Sequence, residues 1–451
     1  MKTKITVVLI MLTIIGLNNV LKAQAPVQLI SGVGNSTMLD VEAIGGTFYF
    51  KVTNGSYKEL WKTDGTLIGT QLVKDSFAVD IIDFVNINST LYFLGTDAAG
   101  TSPVLWKSDG TDIGTVMVKV FSGSSPSLGA LTAINNTGYF IYAHLGPAYT
   151  AIWKTDGTDL GTVEVKQNVA PGSVVNTKWF FEVGSEIIFF VTSPTTGYRA
   201  LWKTDGTDLG TILVKDSIMN YNAGNNLREF LNINGIAYFT INSGSGHYLW
   251  RTDGTNSGTY SLTYGTLSFL TNLNGILYFR NFSMSPVGYK LMKSDGTVIG
   301  TVDVSGLGNI GLSIASMGNS LYLGGENSFD FEPYKSDGTA GGTVLLKDVN
   351  AGATGSNPQF LTKVNSTMCF VANDGINDNQ IWKTDGTPGG TVMAYALVDT
   401  IPNFGTVALT SFNNYLLFIS GTEMYSLLVS TGVGINDELN TKSIANVFPN
   451  P

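Results

Sequence analysis

The sequence predicts an all-β chain folded as a β-propeller of nine four-stranded blades. Three observations carry the prediction. One block of residues returns eight times at nearly constant spacing. Each unit between returns holds four apolar runs of strand length. The first such run, Pro26-Val27-Gln28-Leu29-Ile30, fits the strand that the last unit lacks.

The block is clearest at Leu60-Trp61-Lys62-Thr63-Asp64-Gly65-Thr66, followed by Gly69-Thr70 and Leu72-Val73-Lys74. It returns at Trp106, Trp153, Trp202, Trp250 and Trp382, and with Met292 and Tyr334 in place of Trp. The steps are 45, 47, 49, 48, 42, 42 and 48 residues, and a degenerate ninth copy stands at Glu423-Met424-Tyr425. Self-similarity at this period is the mark of a repeat architecture.

In the unit around Trp106 the four runs are Phe84–Ile87, Thr90–Leu94, Val104–Lys107 and Thr115–Val120, here called strands a, b, c and d. The a–b link is a tight hairpin, as in Asn234-Gly235 and Asn274-Gly275. The runs hold adjacent apolar residues (Leu91-Tyr92-Phe93, Leu105-Trp106) rather than a polar–apolar alternation. Both faces of each small sheet are therefore expected to be buried. Four strands per unit with neighbours on both faces is a propeller blade, whereas a β-sandwich would show period-2 polarity.

The chain ends its last unit after a c strand, Met424–Leu427, so Pro26–Ile30 is expected to complete that blade and close the ring. Counting b strands at Phe48, Leu91, Tyr139, Ile188, Ala237, Leu277, Leu321, Met368 and Leu416 gives nine blades; the alternative is eight closed blades with a frayed remainder.

The stretch Glu59-Leu60-Trp61-Lys62-Thr63-Asp64-Gly65-Thr66-Leu67-Ile68-Gly69-Thr70 resembles the ELWxxDGTxxGT repeat family of bacterial secreted proteins, and the resemblance covers roughly residues 26–430. It implies extracytoplasmic, propeller-like proteins and carries no catalytic residues to transfer. The departures are Met292, Tyr334, and Ser257 where other copies have an apolar residue before the second glycine. They are expected to mark weaker packing.

Composition excludes several functions. The chain has 451 residues, 25 Lys+Arg against 34 Asp+Glu, and only four arginines, which disfavours nucleic acid. One cysteine (Cys369) forbids an internal disulfide, and with two histidines (His144, His247) it leaves too few ligands for a Cys/His zinc site. Cys369 lies in the apolar run Thr367–Phe370 and reads as a buried small hydrophobe.

The Asp-Gly-Thr turns at Asp64, Asp109, Asp156, Asp205, Asp253, Asp295, Asp337 and Asp385 read as structural. The carboxylate can accept turn hydrogen bonds, and the glycine can take a positive φ. The threonines can bond locally. The second glycine is expected to allow a bulge or a close blade-to-blade contact. The alternative is a calcium loop on each Asp, for which one carboxylate is thin. The acidic loop Asn373–Asn379 is the other place for Ca²⁺, although its order is not that of a calcium-binding loop and a b–c turn is the competing reading. No other cofactor is expected.

A ligand is expected on the face made by the b–c and d–a loops. Their lengths vary (Thr96–Pro103, Ala143–Thr150, Val165–Lys178, Asp216–Arg228), while the a–b and c–d turns stay constant. Tyr149, Tyr198, Tyr221, Tyr248, His144 and His247 fall in or beside these loops and could meet an extracellular glycan or protein. The alternative is that they lie over the blade rims with only their polar tips in water. The reading is a non-catalytic binding or adhesion module. The alternative is a secreted propeller-scaffold glycoside hydrolase or polysaccharide lyase, which needs a carboxylate pair across a pocket. Glu42, Asp80, Asp83, Glu182, Glu186, Glu229, Asp303, Glu326 and Asp330 are the acids outside the turns, and no pair stands out.

Lys2, Lys4 and the apolar run from Ile5 to Leu17 read as a signal peptide, 1–23, with cleavage after Ala23 or after Ala25. No later segment has 18 unbroken apolar residues, so no transmembrane span is expected. Residues 24–429 form the propeller and 430–443 a polar linker. Ile444-Ala445-Asn446-Val447-Phe448-Pro449-Asn450-Pro451 resembles the opening of the type A sorting domain of the type IX secretion system. That resemblance implies a surface-bound or secreted full-length form, delivered by that machinery, of which 444–451 would be a truncated start.

Overall fold

The computed structural model describes residues 26–30, 41–123, 126–145, 148–167, 169, 180–184, 186–192, 198–220, 227–242, 246–285, 287–304, 306–327, 330–352, 354–395, 409–420 and 423–429. The expected signal peptide, linker and sorting segment, and Tyr221, lie outside the described residues.

Among the described residues, thirty-six strands form nine antiparallel four-stranded sheets. Blades 1 to 8 each take four consecutive strands and span 41–77, 82–120, 127–167, 180–220, 227–265, 268–303, 310–345 and 359–395. Blade 9 takes Leu409–Phe412, Tyr415–Ser420 and Glu423–Leu428 from the end of the chain and Val27–Ile30 from its beginning. Val27 pairs with Ser426, Gln28 with Tyr425 and Ile30 with Met424. The ring therefore closes through its first strand with nine blades, and the frayed eight-bladed alternative does not occur.

The core is divided among the gaps between blades. Leu29, Phe48, Phe50, Phe412 and Met424 join blades 9 and 1. Ile81, Leu91 and Phe93 meet Leu60 and Val73 between blades 1 and 2. Comparable clusters follow around the ring. The b strands supply the deepest side chains, among them Phe93, Phe140, Phe189, Phe239, Phe279, Phe370 and Phe418. Each of these stands in register with the repeat aromatic or its replacement, for example Phe93 with Trp106 and Phe279 with Met292. The Phe93 and Trp106 rings stack at 6.1 Å and 4°.

Two expectations need correction. The d strands are not buried on both faces: Val116, Met117 and Val120 of blade 2 are exposed, as are Leu72, Ile212 and Val344. Blades radiate from a common centre, so the gap between neighbours widens outward and the outermost strand meets water. Met292 and Tyr334 do not mark weaker packing either. Tyr334 is buried, and Met292 packs against the cluster between blades 5 and 6. Ser257 removes no packing, because its counterparts Ile68, Ile113, Leu160, Leu209 and Ile299 are exposed.

The inner edge is stitched by polar side chains. The a strands of blades 2, 3, 6 and 8 carry bulges with a left-handed residue, Asp83, Ala130, Phe269 and Phe360, at φ between 55° and 62°. Asp83 Oδ2 accepts from Leu131 N (3.3 Å), and Ser313 Oγ from Leu361 N (3.0 Å). Glu229 accepts from Phe269 N (2.9 Å) and Leu270 N (2.7 Å). Thr271 Oγ1 lies 3.2 Å from both Phe269 O and Ile314 O, so it links blade 6 to blade 7.

Candidate functional site

The eight Asp-Gly-Thr hairpins share one geometry. In each, Asp Oδ1 accepts from the threonine N–H at 2.8–2.9 Å and from its hydroxyl at 2.7–2.8 Å. The first glycine sits at φ between 82° and 94°. The second donates its N–H to the same threonine hydroxyl, as Gly69 does to Thr66 Oγ1 (3.0 Å). These donors hold the carboxyls below the usual range: the threonine hydroxyl first at Asp64, Asp109 and Asp205, the threonine N–H first at Asp156. One carboxylate oxygen is thus committed to its own turn.

The second glycine serves neither a bulge nor a blade contact. A Cβ there would overlap the carboxylate of its own turn in all eight copies. The blade contact falls on the first glycine instead. Tyr49, Tyr92, Tyr139, Tyr238, Tyr278 and Tyr322 of one blade's b strand lie against Gly110, Gly157, Gly206, Gly296, Gly338 and Gly386 of the next. Burial, and secondarily the adjoining turn carboxylate, push the phenols of Tyr49, Tyr92, Tyr139, Tyr278 and Tyr322 up.

Sequence reasoning missed the lysines of the block. Lys62 and Lys154 donate to Gly110 O (2.9 Å) and Gly206 O (3.0 Å) of the next blade. Lys74, Lys119 and Lys166 on the d strands pair with Asp112, Asp159 and Asp208 of the following hairpins, at 2.7, 2.8 and 3.0 Å. The signal was present as a Lys or Arg two residues before each turn Asp, and as a Lys ten residues after it in five of the eight copies. Its meaning needed the neighbour's position. Glu59 explains the first letter of the motif: its Oε2 accepts from Trp61 Nε1 at 2.7 Å. Glu423 accepts from Tyr425 Oη at 2.5 Å in the same way. Where Ala151 or Ala200 replaces that Glu, Trp153 Nε1 and Trp202 Nε1 have no partner among the described residues.

On the opposite face, the predicted ligand residues separate. His247 is buried, with Nδ1 2.9 Å from Leu267 O and 3.2 Å from Leu267 N, so it ties the start of strand c to the loop entering blade 6. Tyr248 beside it is 40 % exposed and meets Tyr264, 45 % exposed, with ring centroids 4.8 Å apart and planes at 49°. His144 is half-buried, its ring 5.8 Å from that of Tyr142. His144 pairs in register with Tyr149, and Tyr198 with Asn220, but the side chains of Tyr149 and Tyr198 lie outside the described residues.

The sequence did not single out Glu332. This buried side chain accepts from Val349 N (2.8 Å), Asn350 N (3.2 Å), Ser356 N (2.9 Å) and Ser356 Oγ (2.6 Å), clamping the loop between blades 7 and 8. Desolvation raises its pKa, and these four donors oppose the rise. Oxygens of Asp330, Glu332 and Asp348 lie within 4.8 Å of one another. Each Glu332 oxygen already takes two donors, which leaves Asp330 and Asp348 as the carboxylates with room for a cation. In the acidic loop, Asp374 accepts from Ile376 N (2.9 Å), Asn377 N (2.7 Å) and Asn377 Nδ2 (2.8 Å), which makes that loop a turn around one carboxylate.

The acids weighed for catalysis are largely engaged elsewhere. Asp80 pairs with Lys51 (2.8 Å) and Glu186 with Lys203 (2.9 Å). Asp83 and Glu229 hold neighbouring backbones, and Glu326 accepts from Asn309 Nδ2. The Cys369 thiol is buried and pushed up to about 12.

No family model and no curated protein matches the chain. Solved structures do. A puromycin hydrolase mutant complexed with PGG is similar at TM-score 0.44 and 11 % identity, over 86 % of this chain and 60 % of its own. The Saccharomyces cerevisiae protein Sqt1 is similar at 0.43 and 8 %, over 76 % and 96 %. The β-propeller domain of the Trilobed protease from Pyrococcus furiosus is similar at 0.34 and 9 %, over 80 % and 98 %. The likeness is one of fold. This chain spans about 60 % of the length of the hydrolase, and the blade count rests on its own strand pairings.

Proposed function

We propose that the chain is an extracytoplasmic, non-catalytic binding module of the ELWxxDGT-repeat type that takes an extracellular glycan or protein on the face of its b–c and d–a loops. The observation that carries this reading is the exposed Tyr248–Tyr264 pair at that face, set beside the anchored His247. Two half-solvated rings on a rigid blade end offer apolar area with polar tips, the combination that suits sugar rings and protein side chains. Asp80, Asp83, Glu186 and Glu229 are engaged in ion pairs or in the neighbouring blade's backbone, which favours binding over acid–base hydrolysis.

The basic–apolar start of the chain supports export, and Val447–Pro451 support a type IX route to the cell surface or medium. A glycan and protein array probed with the purified chain tests the function. Binding is expected, and Tyr248→Ala with Tyr264→Ala should remove it while leaving the melting temperature unchanged. Binding that survives both changes would refute this site.

A further inference from the structure

Arg280 is a buried cation with no carboxylate beside it. It follows Phe279 on the b strand of blade 6, at a register position that other blades fill with Leu94, Ile141, Phe190, Val371 and Ile419. Blade 1 has Lys51 there, and Asp80 neutralises it at 2.8 Å. Arg280 is 8 % exposed and has no ion pair among the described residues. Its Nε donates to Ile310 O of blade 7 at 3.3 Å, and its guanidinium carbon lies 3.3 Å from the Tyr289 ring centroid. The ring covers one face of the guanidinium. The N–H groups of the two Nη atoms, on its outer edge, reach the surface and have no acceptor among the described residues. Burial lowers the Arg280 pKa and Tyr289 opposes the shift, with no contribution from a carboxylate.

The polar groups nearby are already used. Asn309 Oδ1 accepts from Tyr289 N (2.7 Å), and Glu326 accepts from Asn309 Nδ2. Lys290 donates to Gly308 O at 2.6 Å. Ser268, opposite Arg280 in register, has a buried hydroxyl that also lacks a partner among the described residues. A buried charge is costly unless something pairs with it, and neither this blade nor its neighbours supplies that partner.

We propose that Arg280 is the anion anchor of the ligand face and takes the carboxylate of a uronate residue in an acidic glycan. The proposal rests on the binding-module reading and narrows its ligand. Strand b of blade 6 runs toward the b–c turn, and Tyr289 pairs with Phe282, nearer that turn, so the group opens on the loop face. Both rings are half-buried, with centroids 5.1 Å apart. The Tyr248–Tyr264 pair is next to them: Gly265 packs so closely on Asn281, the neighbour of Arg280, that a Cβ there would overlap it. Ring pairs on two adjoining blades suit the apolar faces of successive sugars. The guanidinium fork matches a planar carboxylate through parallel N–H···O bonds. Lys290 is spent on backbone carbonyls, so a single cation awaits a single negative charge.

The test is calorimetric titration of the purified chain with tetramers of galacturonate, glucuronate and mannuronate and with their methyl esters, which keep the rings and lose the charge. At least one acid is expected to bind, at least ~10-fold more tightly than its own ester. Arg280→Gln should abolish that preference, and Arg280→Lys, which keeps the charge without the fork, should restore only part of it. The comparison of acid with ester in wild type needs no variant and stands even if both variants fail to fold. Esters bound as tightly as acids would overturn the anchor and leave the binding-module reading intact, as would a preference that survives in folded Arg280→Gln. If no acid binds, the anchor is wrong; a glycan and protein array that is also blank would remove the reading beneath it. A hexaglutamate peptide bound as tightly as the acids would overturn the assignment to a glycan.

Discussion

The carboxylate of Asp64 fills the space that a Cβ on Gly69 would need. The same relationship recurs in every full copy of the repeat, so glycine and aspartate are required together. Gly69→Ala should lower unfolding free energy by about 1–3 kcal/mol through overpacking. In a double-mutant cycle with Asp64→Ala the steric part should vanish, leaving strong coupling between the two changes. Chemical denaturation of the four proteins checks this, and additive effects would show that the carboxylate is not the obstacle.

The same carboxylates set the acid limit of the fold. Their folded pKa values are depressed, so the stability they contribute is present above the unfolded value. It is lost as pH falls through the folded values. Melting temperature should be flat from neutrality down to about pH 5 and fall steeply below about pH 4. Calorimetry across this range is the measurement. A melting temperature that rises on acidification would contradict the assignment.

Ring closure can be trapped covalently. Val27 and Ser426 are cross-strand partners, so Val27→Cys with Ser426→Cys should oxidise to an intramolecular disulfide. The buried Cys369, with its thiol pushed up to about 12, should not compete. Peptide mapping after oxidation should find this link and a higher melting temperature. Recovery of only free thiols would break the pairing.

Links at the inner and outer edges of the ring should differ in strength. Thr271→Val removes a buried hydroxyl that joins two blades and should cost about 1 kcal/mol. Lys119→Met removes an ion pair whose Asp159 partner is largely exposed and should cost at most about 0.5 kcal/mol. Denaturant midpoints of the two variants decide the ranking.

Glu332→Ala leaves the N–H groups of Val349 and Asn350 without their acceptor, while Ser356 keeps Phe331 O, and should cost about 2–4 kcal/mol. Glu332→Gln, which keeps a carbonyl oxygen, should cost less. Hydrogen exchange at Val349, Asn350 and Ser356 should accelerate in the alanine variant before the rest of blade 8 is affected.

What the sequence disclosed and what it concealed have physical causes. Trp spacing, hairpin signals and the orphan strand at Val27–Ile30 report on local chemistry and chain order, and these determine blade number and closure. Partners across a blade gap leave no local trace. Lys119 and Asp159 are forty residues apart, and nothing near either names the other. Ile113 and Phe93 are both apolar letters, yet one stands in water and the other is fully buried, because hairpin tips and b strands differ in place and not in hydropathy. On the loop face, residue type marked His247 and Tyr248 equally. Only the backbone of Leu267 separates the anchor from the exposed ring.

The strand that completes blade 9 also decides which way the propeller faces. Val27 begins its strand opposite Ser426, near the end of the c strand, and Val429 just beyond donates to Asn414 O in the a–b turn at 2.8 Å. Pro26 and Val429, the outer ends of these described segments, therefore lie on one blade toward the hairpin face. An anchor introduced at Pro26 or Val429 would hold the ring by that side and turn the loops around Tyr248 away from the attachment point.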